Sequence, residues 1–113
     1  MTLESFRQLA LSLPEATESE HMNHPDFRVR NKIFATIRPE EGLGMVKLTP
    51  AQQKQFAKSE PGIFEPVPGG WGKGGATYIR LKTAKKPAVL KALTAAWRNT
   101  APNALVIELD NAK

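Results

Sequence analysis

The sequence contains no cysteine, and this absence excludes disulfides, thiolate metal sites and cysteine nucleophiles together. No apolar stretch approaches the length that spans a membrane. The N-terminus also lacks the basic segment followed by an apolar run that marks a secretory signal. We therefore expect a soluble, cytoplasmic protein that does not enter a membrane.

Acidic residues are absent from position 66 to position 107. The same stretch holds seven basic residues, which are Lys73, Arg80, Lys82, Lys85, Lys86, Lys91 and Arg98. Crowded like charges repel one another and do not help a domain to fold. With a net charge of +5, this one-sided stretch favours a partner of opposite sign, and nucleic acid is the commonest large polyanion.

The length and composition describe one folded unit. A chain of 113 residues with 41% hydrophobic residues can bury a core of its own. Clear periodic segments argue against a disordered basic tail. We predict a single domain over residues 1–113.

The first half of the chain predicts a helix followed by a β-hairpin. Residues 3–13 repeat apolar side chains at helical spacing, with Thr2 as the N-cap. Alternation in 27–29 and 33–37 then predicts two strands joined by a three-residue turn, with Asn31 in the left-handed conformation. That loop length places five residues on one face, namely Phe27, Val29, Ile33, Ala35 and Ile37.

The second half predicts further strands and two helices. A strand over 43–48 precedes a helix over 50–59, whose start is marked by a capping box of Thr49 and Gln52. The remaining elements are strands over 63–65 and 76–82 and a helix over 87–99. The predicted order is thus α-β-β-β-α-β-β-α. Residues 15–25 fit a short strand or an irregular segment, and 103–109 fit a helix or a strand.

A glycine-rich segment separates the last two predicted strands. Residues 66–75 contain two prolines and five glycines, which predicts a mobile loop between strands. It is not a phosphate-binding Walker loop, because no Gly-Lys-Ser/Thr follows four variable positions.

Three stretches resemble the MmcQ/YjbR family of small bacterial proteins. They are 27–35 (FRVRNKIFA), 61–81 (PGIFEPVPGGWGKGGATYIRL) and 96–105 (AWRNTAPNAL), and they occur in the family's order. The resemblance covers roughly residues 3–109. It implies an α+β fold of two layers, one antiparallel sheet covered by helices, similar in topology to secretion chaperones. It also implies DNA binding through a "double wing" of two β-hairpins.

Mapped onto this sequence, one wing is the hairpin around Arg28, Arg30, Asn31 and Lys32, and the other is the segment 69–75 with Lys73. The predicted nucleic-acid-binding residues are Arg28, Arg30, Asn31, Lys32, Trp71, Lys73, Arg80, Lys82, Lys85 and Lys86. We expect both basic segments to lie on one continuous face, because a duplex can use only the charges that it meets together.

Two of these assignments have structural alternatives. Trp71 either stacks against the nucleic acid or folds back over the core, and the usual burial of tryptophan favours the second. The basic residues of 28–32 either contact the nucleic-acid backbone or form a charged hairpin edge that prevents aggregation. Lys85 and Lys86 oppose the dipole of the helix that they precede, and a bound phosphate would relieve this.

His21 and His24 form a His-x-x-His pair with carboxylates nearby. A metal site needs at least three protein ligands, and this spacing is not that of a helical metalloprotease motif, so we predict no metal. No serine lies in a Gly-x-Ser-x-Gly elbow. We expect no catalytic residues, no enzyme activity and no cofactor.

The leading hypothesis is therefore a DNA-binding protein that contacts double-stranded DNA through two basic hairpins. One alternative is a protein-binding adaptor that uses the sheet face or an edge strand. Another is a small hydrolase or ligand-binding domain around His21. The oligomeric state stays open, with a monomer favoured.

Overall fold

A computed structural model describes residues 1–111 of the chain. The strands are β1 (Thr17–His21), β2 (His24–Val29), β3 (Lys32–Arg38), β4 (Leu43–Lys47), β5 (Phe64–Pro66) and β6 (Ala76–Arg80). The helices are α1 (Leu3–Leu11), α2 (Pro50–Ser59), the single turn α3 (Gly70–Lys73), α4 (Lys86–Thr100) and α5 (Asn103–Asn111). A 3₁₀ turn over Pro39–Glu41 joins β3 to β4.

The strands form one antiparallel sheet in the order β1-β2-β3-β4-β6-β5. This confirms the predicted α+β fold, with one strand more than the sequence pattern showed. The added strand, β1, lies in the stretch 15–25, whose side chains are almost all polar and show no apolar alternation. A two-residue turn joins it to β2, with positive φ at Met22 and Asn23, as twisted hairpins require.

The hairpin of β2 and β3 departs from its prediction in two ways. Its turn has two residues, Arg30 and Asn31, with φ of 50° and 66°, and Lys32 already belongs to β3. The register then shifts, because Phe27 pairs with Ala35 while Arg28 pairs with Ile33. Phe34 is the extra residue of this β-bulge.

The bulge changes which side chains enter the core. Phe34 and Ala35 are consecutive, yet both are fully buried in the core cluster. Ile33 is only half-buried and lines a groove on the opposite face. The prediction that Ile33 shares the core face of Ile37 was therefore wrong, because it assumed regular alternation through the whole strand.

One face of the sheet packs against helices α1 and α4. From α1, Phe6 reaches the sheet and contacts the Phe27 ring at 6.1 Å between centroids. From α4, Trp97 is completely buried and its indole nitrogen donates a hydrogen bond of 2.9 Å to the carbonyl of Pro14. These contacts place the hydrophobic core between α1, α4 and the inner side of the sheet.

The other helices complete this layer. Helix α2 begins with the predicted capping box, in which Thr49 and Gln52 exchange side-chain to backbone hydrogen bonds. Its Phe56 ring packs edge-on against Phe64 of β5. The ambiguous segment 103–109 is helical and belongs to α5, which buries Leu105. No helix in the part of the chain described is both long and apolar enough to cross a membrane.

The strand ends form two opposite borders of the sheet. We call these borders its edges, and the term here means a row of strand ends and not an outermost strand. At one edge lie the β2–β3 turn, the end of β4 and the start of β6, since Lys47 pairs with Ala76. At the other edge lie the β1–β2 turn, the β3–β4 connection and the end of β6, since Arg80 pairs with Leu43. Every candidate side chain can be assigned to one of these two edges or to the sheet face between them.

Candidate functional site

A group of polar and basic residues occupies the first of these edges, and we call it the basic edge. Its members are Arg28, Arg30, Asn31, Lys32, Lys47, Trp71 and Lys73. The tight β2–β3 turn projects Arg30 and Asn31 at the tip, where both are exposed. Asparagine is among the residues that tolerate the left-handed conformation best, which explains Asn31 at this position.

A shallow hollow extends the basic edge toward helix α4. Arg28, Asn31, Lys32, Ile33, Lys47, Asn99 and Thr100 line it. The Asn99 amide donates a hydrogen bond of 3.1 Å to the Lys47 carbonyl, and thereby ties the end of α4 to the end of β4. Lys47 and Lys32 consequently share one hollow.

The predicted second wing is a helical turn, not a glycine loop. Gly72 and Gly75 are buried, and a Cβ atom at either position would overlap a backbone carbonyl, that of Val67 or of Leu48. The side-chain amide of Gln53 donates hydrogen bonds of 2.9 Å to the carbonyls of Gly72 and Ala76. The prediction of a mobile loop was wrong, because the glycines provide close packing here.

The helical turn presents two exposed side chains. Trp71 is 69% exposed, so it does not cover the core, and the interpretation that it folds back was wrong. Lys73 is exposed beside it. From β3 to β6 there are two inter-strand spacings, on the order of 10 Å in all. The strand that begins with Lys32 and the strand that follows α3 are therefore about as far apart as the width of a DNA groove.

The remaining predicted cations lie at the opposite edge. Arg80 ends β6, and Lys82, Lys85 and Lys86 follow it before and at the start of α4. Four residue steps separate Ala76 from Arg80, about 13 Å along the strand. Helix α4 then returns over 15 residues, about 22 Å, to the hollow at Asn99. The prediction of one continuous basic face was thus wrong, since β6 carries the charged stretch away from Lys73.

Three predicted arginines form ion pairs within the chain. Arg30 donates two hydrogen bonds to the Glu15 carboxylate, at 2.6 and 3.1 Å. Arg28 holds the buried Asp26 carboxylate in the same bidentate way, at 2.9 and 3.1 Å. Arg80 contacts Glu65 at 2.7 Å. Hydrogen bonding to Glu15 and Asp26 raises the pKa of Arg30 and Arg28, and the bond from Arg30 lowers the pKa of Glu15.

The lysines of the basic edge differ from these arginines. Within residues 1–111, no carboxylate lies within ion-pair distance of Lys32, Lys47 or Lys73. No described carboxylate neutralises them at short range, so these three lysines are the cations at this edge most readily available to an anion.

A groove crosses the open face of the sheet beside the basic edge. It has a volume of about 510 Å³ and extends from the β1–β2 turn to α3. Its lining residues are His21, Met22, His24, Asp26, Ile33, Thr36, Arg38, Met45, Lys47, Val67, Pro68, Trp71, Ala76 and Tyr78. The two histidines and one carboxylate thus line a common groove, although no group of three His, Cys, Asp or Glu residues in the described chain is arranged to hold a metal ion.

Sequence patterns missed two of the residues in these sites. Lys47 and Arg38 follow ordinary strand alternation and fall outside the acid-free stretch. The lysine at the end of the predicted third strand was a weak signal, because strand ends often carry solvated charge. Arg38 became a candidate site residue only when the structure placed its guanidinium over the Tyr78 ring, 5.9 Å from the ring centroid.

Comparisons with known proteins agree with this architecture. The crystal structure of Deinococcus radiodurans protein DR2400, a DUF419 protein, superposes with a TM-score of 0.70 at 14% sequence identity. The match covers 85% of this chain and 75% of that one, and at this identity it shows a common fold. No curated protein matches the sequence.

A family model supplies the closer relationship. The YjbR model matches residues 11–99, which include β1 to β6 and most of α4. The matched range contains the whole sheet, the basic edge and the groove. The chain belongs to the YjbR family.

Proposed function

We propose that this protein binds nucleic acid, most favourably double-stranded DNA, through the basic edge. The observation that carries the proposal is the set of lysines Lys32, Lys47 and Lys73, which form no ion pair within residues 1–111, beside the exposed Trp71. A cation without an intramolecular partner breaks no ion pair when it contacts a phosphate, and it releases counterions from the DNA.

The turn residues add directional contacts to this charge. Arg30 and Asn31 stand at the tip of the β2–β3 turn, the form in which a hairpin enters a groove. The Arg30–Glu15 pair is exposed on both sides, and exposed ion pairs contribute little to stability. Arg30 can therefore exchange Glu15 for a phosphate or for a guanine edge, which arginine recognises in the major groove.

The second wing functions as a rigid turn in this proposal. Helix α3 is anchored by Gln53, so Lys73 and Trp71 are presented without the entropic cost of ordering a loop. Lys73 contacts a phosphate and thereby positions the DNA backbone. Trp71 stacks on a base or wedges between bases at the rim of the DNA groove.

The cations at the opposite edge are a secondary group. Arg80, Lys82, Lys85 and Lys86 lie more than one strand length from Lys73, so a short duplex on the basic edge does not reach them. We expect them to attract DNA through the long-range field. We propose no catalytic step and no bound cofactor for this function.

The test is a salt titration of binding to a random duplex. Replacing Lys73 with Ala should weaken binding to all duplexes alike and lower the slope of log affinity against log salt by about one unit. Replacing Arg30 with Ala should also reduce sequence preference, by roughly tenfold at one base position if Arg30 reads a base edge.

The matched control is Lys54, an exposed lysine of α2. Lys54→Ala removes the same charge at a residue that is not a member of the basic edge and should leave the slope unchanged. Equal losses for Lys54→Ala and Lys73→Ala would refute the assignment, because the attraction would then depend on net charge alone.

A further inference from the structure

The groove on the open sheet face is a second site with a chemistry of its own. Its volume of about 510 Å³ lies within the range of small-molecule sites, roughly 300–1,000 Å³. A duplex at the basic edge would contact only one end of it, at Trp71 and Lys47. The rest of the groove extends across the sheet to His21 and Met22.

The floor and walls of the groove are mainly apolar. Met45 and Tyr78 are directly paired neighbours on β4 and β6, and both are half-buried in the floor. Trp71 forms one wall at 69% exposure, and Met22 lies at the other end with 80% exposure. Exposed side chains of this size are costly in water, and together they suit a flat apolar body.

Basic side chains outnumber acidic ones among the residues that line the groove. Four lining residues can carry positive charge, which are His21, His24, Arg38 and Lys47. Among the described residues that line the groove, the single carboxylate is Asp26, and Arg28 already neutralises it through two hydrogen bonds. Arg38 contacts Glu41 only loosely, at 3.6 Å with both side chains about half exposed. The groove is therefore complementary to an anion.

One polar group is positioned to orient such an anion. The Arg38 guanidinium lies over the Tyr78 ring, 5.9 Å from its centroid, on the open sheet face. His24 also lines the groove, but its Nδ1 atom is buried and does not contribute to the anion site.

We infer that this groove binds a small organic anion, with a carboxylate or sulfonate held by Arg38 and a planar apolar body against Met45 and Trp71. The ligand is a free small molecule. The site shares Trp71 and Lys47 with the basic edge. Arg38 and Met45 lie outside that edge, so variants of these two residues test the groove separately from nucleic-acid binding.

The experiment uses the full chain and 8-anilinonaphthalene-1-sulfonate as the anionic probe. We expect binding of one probe molecule per chain. Arg38→Gln should weaken it roughly tenfold, the value of one lost charge-assisted hydrogen bond. Met45→Glu should abolish binding, whereas the isosteric Met45→Gln should retain it, since only the first places a negative charge in the floor.

Two controls distinguish binding in this groove from general attraction to basic or apolar surface. Lys54→Gln and Lys73→Ala should leave probe affinity unchanged, even if DNA binding is lost. The uncharged probe Nile red should bind more weakly than the sulfonate and should not respond to Arg38→Gln. Cooperative thermal unfolding followed by circular dichroism, as in the wild type, confirms that each variant is folded. Equal sulfonate affinity in wild type, Arg38→Gln and Met45→Glu would overturn the inference, as would Nile red binding as tightly as the sulfonate.

Discussion

The side-chain amide of Gln53 donates a hydrogen bond of 2.9 Å to the carbonyl oxygen of Gly72. Gln53 is 8% exposed, and its same nitrogen also reaches the carbonyl of Ala76. One buried amide on α2 thus satisfies two backbone acceptors, one within the α3 turn and one at the start of β6. The positions of Trp71 and Lys73 depend on this contact.

Replacing Gln53 with Glu should destabilise the protein by about 1–3 kcal/mol. The shape is retained, but a carboxylate would face two carbonyl oxygens without a proton to donate. Urea unfolding at neutral pH measures the effect. Gln55→Glu, at an exposed position of the same helix, is the control and should change stability little. Equal unfolding midpoints for the two variants would contradict the anchoring role of Gln53.

Replacing Gly75 with Ala should cost about 3 kcal/mol or more. The residue has φ of +113°, and a Cβ atom would overlap the Leu48 carbonyl oxygen, so conformational strain and a backbone clash act together. Gly70→Ala is the control, because nothing lies within 4 Å of its Cβ position and its φ is ordinary. Thermal unfolding should show a large loss for the first variant and none for the second.

Replacing Glu15 with Gln should raise duplex affinity by roughly twofold to fivefold at low salt. The change frees Arg30 from its two hydrogen bonds and removes a negative charge near the turn. Glu40→Gln makes the same change in net charge at the opposite edge of the sheet and should have a smaller effect. Equal effects from the two variants would show that the Arg30–Glu15 pair does not control binding.

The same ion pair should make a small part of the stability pH-dependent. The hydrogen bond from Arg30 holds the pKa of Glu15 below its ordinary value of 4.5. A carboxyl group with a lowered pKa stabilises the folded state above its unfolded pKa, and this contribution disappears as the pH falls through its folded pKa. The melting-temperature difference between wild type and Glu15→Gln should therefore be present at pH 7 and decrease progressively as the pH falls below 4.5.

The parts of the fold that were predictable from sequence are those specified by local chemistry. The capping box of Thr49 and Gln52 marked the start of α2, and the apolar stripe of α4 marked its length to within two residues. The predictions that failed depend on distant contacts. No local pattern reveals that Gln53 and the carbonyl of Val67 enclose the glycines of α3.

The candidate site was predictable only in part for a similar reason. The charge of the stretch 66–107 was evident, and Arg30, Lys32 and Lys73 do share an edge. The basic residues of this stretch fall into two groups because of the direction of β6. The pairing of Arg80 with Leu43 shows that β6 ends at the opposite edge of the sheet, and the sequence does not reveal this pairing. The ion pair of Arg30 involves Glu15, 15 residues away, a partner that no local pattern selects from the eleven acidic residues of the sequence.

The bulge at Phe34 also determines how freely β3 can change in length. Because Phe34 is the extra residue between two registers, its deletion would restore regular alternation with Ile33 still on the groove face, and it would remove the buried Phe34 ring from the core. An insertion at the same point would add a second unpaired residue or shift the register, and such a shift turns Ile33 away from the groove. Loss of one residue here alters the core, and gain of one alters the groove, so we expect YjbR chains with this groove to tolerate length variation in the β3–β4 connection but not within β3.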